Sequence, residues 1–193
     1  MKGFLLATAA TAAAALGAST ASAKDVVVRR SFEVAKPVAA VVDAIAAYDQ
    51  YCARGCRYYV PSVAGARILS YGRHPDDFYV WTSVKDIKDS SWFSHVTIEH
   101  HARGARVVVR MVGDTTASTL HKATKLPHAP SVDGTVNVYD VEDLPGASTP
   151  RSHVTLTETV SISGVSAFFG SGIVHDRLEQ AAQAASQALT QLK

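Results

Sequence analysis

The last stretch of the chain, Ala167 to Lys193, limits the possible folds more than any other. Ile173, Val174, Leu178, Ala181, Ala182, Ala185, Leu189 and Leu192 recur at three- and four-residue steps, which draws one apolar stripe along a helix. Asp176, Arg177, Glu179, Gln180, Gln183, Gln187 and Gln191 fall mostly on the other side. Alanine and glutamine favour helix, and no proline interrupts the run. A long helix with a single greasy face has to lie on something. Nearly everything between Val63 and Ser163 reads as β-strand, so a sheet is the available surface.

The opposite end reads as a leader. Met1-Lys2 is a short positive start, Phe4 to Leu16 is apolar, and Ala21-Ser22-Ala23 is a small-x-small cleavage signal. Residues 1–23 are therefore expected to be a cleaved signal peptide that sends the protein to the periplasm or medium. The apolar run is short and no cysteine stands at the cleavage site, so no stable membrane anchor is expected. Residues 24–193 then have the size of one domain, expected to be a monomer, that can bury a core without covalent staples. With Lys2 set aside, 18 basic residues face 17 acidic ones, a balance that speaks against nucleic acid as a partner. Both cysteines lie in Tyr51-Cys52-Ala53-Arg54-Gly55-Cys56, and in an exported chain this reads as a local Cys52–Cys56 disulfide. Its small loop makes the entropic gain modest.

From Asp25 to Val34 the residues alternate, with Val26, Val28, Arg30, Phe32 and Val34 on one face: a strand. Lys36-Pro37 opens a helix carrying Val38, Val41, Val42, Ile45 and Ala46. Strands are expected over 64–71, 78–87, 92–101 and 105–112, with turns so short that neighbours must be antiparallel. The segment 113–133, with Pro127 and Pro130, is either a lid or a surface excursion with a short helix near 118–125. Strands resume at 135–141 and 153–162 before Gly170-Ser171-Gly172 leads into the long helix.

Strand, helix, antiparallel strands and one long closing helix: the order, carried by Val26–Phe32 leading into Pro37–Val42 and by Gly172–Glu179, resembles the α+β helix-grip fold of the START-like (SRPBCC) superfamily. The resemblance spans the mature chain and rests on architecture rather than on a strict motif. It implies a curved antiparallel sheet of about seven strands gripping the last helix. It also implies a cavity between them for a lipid, sterol-like or polyketide-like molecule, in a binder or carrier or else a cyclase or dehydratase; a core filled by its own side chains would leave instead an envelope interaction protein.

Three sets of residues are candidates for that cavity. Arg30 and Glu158 each interrupt an apolar strand face, and in the implied fold the first and last strands are neighbours, so the two can meet; Asp140 is a weaker third member. A buried charge is tolerable only when paired, so the pair either orients a ligand's polar head or is a plain salt bridge within the sheet. Tyr79, Trp81, Trp92, Phe93 and Tyr139 are candidate pocket walls or core residues, and Phe168 and Phe169 sit among glycines at a candidate mouth. His95, Glu99 and His101 share one strand face, but no third ligand is fixed by spacing and no metal or cofactor is expected. The chain has neither a GxSxG elbow nor a phosphate loop, so no catalytic residue is assigned.

Overall fold

The computed structural model describes residues 23–52, 58–59, 63–84, 90–146, 149–163 and 171–192, the side chains of Cys52, Tyr58 and Tyr59 excepted. Residues 1–22 of the expected signal peptide, Cys56 of the expected disulfide, and Phe168 and Phe169 lie outside these described residues.

β1 (Lys24–Val34) leads into α1 (Val38–Ala46), and a single 3-10 turn, Tyr48–Gln50, follows. β2 (Tyr51–Cys52) and β3 (Tyr58–Tyr59) form a small parallel pair of their own. The main run is β4 (Val63–Ile68), β5 (Asp77–Val84), β6 (Ser90–His101) and β7 (Gly104–Met111). Then come α2 (Asp114–Thr124), β8 (Gly134–Asp143), β9 (Ser152–Ile162) and the long α3 (Ser171–Thr190). The sheet has seven strands in the order β1-β9-β8-β7-β6-β5-β4, all antiparallel. The tight β6–β7 turn needs Gly104, because a methyl group there would run into the Val141 carbonyl oxygen of the next strand.

The register assigns the faces. Val28 opposes Glu158, which opposes Asn137. Asn137 opposes Val109, Val109 opposes Val96, and Val96 opposes Phe78. Cross-strand partners share a face, so these line the inner side. One end of that side is a filled core. There Val34, Val41, Ile45, Phe78, Val80, Val96, Val107, Val141, Val154 and Leu189 pack together under α1 and the last turns of α3. Toward its N-terminal end α3 lies over β1 and β9 through Val174 and Leu178, with Ala182 and Ala185 further along. Ile173, expected in that stripe, is instead 67% exposed, and Ser186 is buried in its place.

Of the two readings of 113–133, the structure has the excursion. α2 rests on the outer face, where Ala117 and Leu120 pack on Phe93 and Leu69 with Tyr79 and Trp81 alongside. It ends with Lys125 in the left-handed conformation (φ 62°). The chain that follows is stitched down: Trp81 Nε1–H and Ser91 Oγ–H donate to the Pro127 carbonyl (2.8 and 3.1 Å), and Ser91 and Ala129 exchange backbone bonds. Leu120→Ala should therefore cost about 2–5 kcal/mol of stability in denaturant unfolding, the usual range for a fully buried leucine.

Candidate functional site

The inner face changes character along its length. Thr82, Trp92, Met111, Thr135 and Asn137 all point inward by register, yet each is only half-buried. These positions fall beyond the filled core, toward the end where β1 and β9 meet the first half of α3. Strand alternation supplies the inward residues, while the packing atoms of α1 are spent at the other end. Between the sheet and the first half of α3 the inner face is thus lined by half-buried rather than buried side chains.

Glu158 stands on this same face, between Val28 and Asn137. It is 5% exposed, and its Oε2 has no hydrogen-bond partner among the described residues. Burial, and then the nearby Glu179, push its carboxyl up to about 8. At neutral pH it is therefore held largely as the protonated acid. Two phenols belong to the same cluster. Burial, then Glu158, raise Tyr48 above its ordinary 10, and burial, Tyr48 and Glu158 together raise Tyr139. Both remain un-ionised hydroxyls.

Arg30 and Glu158 lie on the same face of neighbouring strands, as expected, but one step apart in register: Arg30 opposes Leu156 and Glu158 opposes Val28. Arg30 reaches instead to α3, with its guanidinium nitrogen 3.7 Å from Glu179 Oε2. Both partners are partly exposed (35% and 43%), so this ion pair contributes little by itself and chiefly fixes where the acid sits. Glu179 was expected on the polar side of α3. It stands three residues before Ala182 and seven before Ser186, both buried, so the helical line that packs on the sheet passes through it. Tyr48 also carries a readable signal, since it continues the α1 stripe three residues after Ile45.

The other candidates divide by face. Trp92 opposes Thr82 on the inner face. Tyr79 and Trp81 are on the outer face beneath α2, and so are removed from the pocket wall by the same alternation. Tyr79 stacks on His95 there (centroids 4.9 Å), and His95 Nε2 meets Asp77 Oδ1 at 2.6 Å. Asp140 is a further correction. It faces outward opposite Arg106, with Oδ1 3.5 Å from Arg106 Nε, and takes no part in the inner cluster. Phe93, fully buried, is outer-face core. Two surface clefts, of about 450 Å³ beside Pro37, Asp43 and Arg103 and about 320 Å³ beside Asp114, His121 and His128, are lined by other residues than these.

A carboxyl titrating high in the fold has a measurable consequence. The folded state holds its proton more tightly than the unfolded chain, so its contribution is fully present below about 4.5 and is lost as pH rises through about 8. Denaturant midpoints should fall across that window, by up to about 1.4 kcal/mol per pH unit, and Glu158→Gln should flatten the slope.

Neither a family model nor a curated protein matches this sequence. Solved structures do match. The Zhui aromatase/cyclase from Streptomyces sp. R1128 superposes with a TM-score of 0.62 at 15% identity, covering 86% of this chain and 92% of that one. A STAR-related lipid transfer protein from Xanthomonas axonopodis gives 0.56 at 16% identity (84% and 85% covered). A START superfamily protein from Mycobacterium smegmatis gives 0.54 at 14% (86% and 99%). At such identities the likeness is one of fold: this is a START-like helix-grip fold, as its element order led one to expect.

Proposed function

We propose that this protein binds an apolar small molecule in the recess between the sheet and α3, and serves as a carrier or receptor for it. The observation that carries the reading is the combination of half-buried inner residues, Thr82, Trp92, Met111 and Asn137, with a buried, unpartnered Glu158 oxygen beside them. An orphan buried polar atom in a native fold asks for an explanation, and a bound ligand supplies one. Covering the recess would add roughly 25 cal/mol for each Å² of apolar surface removed from water. The frame it shares with a lipid transfer protein and an aromatase/cyclase supports the same reading. Native mass spectrometry of protein taken from its own compartment, followed by organic extraction, tests it. A co-purifying apolar compound is expected, and bare protein in every preparation would count against a carrier.

The chain has two tryptophans on opposite faces, which gives an internal control. Ligand binding should shift or quench the emission of Trp92 within the recess; Trp92→Phe should abolish the change and Trp81→Phe should leave it.

A second reading has its own support. A carboxyl raised to about 8 is suited to giving and taking protons near neutral pH, as a cyclase or dehydratase requires. Under that reading, Glu158→Gln abolishes turnover of a bound poly-ketone while the compound still binds; persistent turnover would exclude it.

Export is part of the proposal. β1 starts at Lys24, directly after Ala21-Ser22-Ala23, so cleavage there would leave the described fold whole. The intact mass of the exported protein should correspond to a chain beginning at Lys24, with a Cys52–Cys56 bridge seen as a loss of two hydrogens.

A further inference from the structure

We propose that the recess selects a neutral ligand bearing an acceptor oxygen (a ketone, ester or hydroxyl on an apolar frame) over the matching carboxylate, with the Glu158 carboxyl donating a hydrogen bond to that oxygen. This rests on the reading of the recess as a binding site and names the class of molecule it takes.

The charges facing Glu158 decide it. From β1 comes Arg30, from α3 Glu179, from β8 Tyr139, and from the 3-10 turn Tyr48. Among the described residues Arg30 is the one cation in this cluster, and at 3.7 Å it is already matched by Glu179. Beside Glu158 an entering carboxylate would meet two acids and, among the described residues of this cluster, no unmatched base, and it would also give up its own hydration. The next cation of the row, Lys24, stands four residues along β1 from Val28 with its Nζ directed to Ser171 Oγ. A ketone has little hydration to lose. It accepts from the Glu158 O–H, which satisfies an acid that otherwise has an unpartnered buried oxygen. Burial and the neighbouring Glu179 keep that acid protonated at neutral pH, so the donor is in place before the ligand arrives. The two phenols, also un-ionised, add neutral polar groups and no positive charge. A site built around a donor discriminates strongly against molecules that cannot accept from it, and against those that bring unmatched charge.

The test uses the full mature protein with the neutral fluorophore N-phenyl-1-naphthylamine as reporter, displaced by 2-dodecanone, dodecanoate or dodecylamine below their micelle concentrations. The ketone should displace the reporter at a concentration at least about 10-fold lower than the carboxylate at about pH 6. Its affinity should fall about 10-fold at about pH 9, because only about a tenth of Glu158 then remains protonated. Glu158→Gln, which keeps a donor but cannot ionise, should flatten that pH response. Glu158→Leu should erase the advantage of 2-dodecanone over dodecane. Dodecanoate matching the ketone, or dodecylamine surpassing it, would overturn the selection while leaving the binding site standing, as would a pH response that survives in Glu158→Gln. If the reporter shows no saturable binding at all, the recess is not a ligand site and both readings fall.

Discussion

The pairing of β1 with β9 is the contact on which the rest of the molecule depends. It joins the first strand of the fold to the last through an unbroken register from Lys24–Ile162 to Val34–Ser152. Contacts so distant in sequence carry a large closure cost, which the apolar rows Val26, Val28 and Phe32 and Val154, Leu156 and Val160 help to offset by burying together. Once closed, the pair gives α3 its floor and sets Arg30 and Glu158 on one surface. Nothing in the local sequence of either strand requires a polar group there; the placement follows from register alone.

That placement is expensive at one position. A carboxyl taken from water without a full set of partners destabilises the fold, and an apolar residue in its place would be expected to do better. The fold contains the cost by keeping the acid protonated and by anchoring the nearest competing charge, Glu179, to Arg30.

Much of the architecture could be read from the amino-acid order. Alternation in Val26–Val34 and in Val154–Ile162 marked two strands whose inner rows are as observed, and the short turns around Lys88 and Arg103 left only antiparallel neighbours. The three-residue step marked α3, though its stripe turned out to run through Glu179 and Ser186 rather than Ile173, because helical spacing gives a face only to within about one position. Side-chain chemistry was less legible. Tyr79 and Trp81 look like pocket aromatics, but their facing depends on which row of β5 meets the core, and α2 offers the outer row an apolar cover of its own. Asp140 shows the same difficulty: Val136 and Val138 beside it are apolar, yet they stand in the outer row with Arg106 opposite. Arg30 and Glu158 were found because a charge in an apolar row is conspicuous. Their true partners were hidden because Glu179 comes from a helix whose angle over the strands is a tertiary matter.

The link between Arg30, Glu179 and Glu158 also ties the seating of the helix to a proton. Glu179 rides on α3, and its charge is one of the two reasons Glu158 stays protonated. Were α3 to lift away, water would reach Glu158 and the repulsion from Glu179 would fade, so the acid would release its proton in the same step. Linkage makes the relation reciprocal: drawing that proton off loosens the helix by the free energy that its lifting returns to the acid. The seating of the helix and the protonation of Glu158 are thus coupled through Glu179.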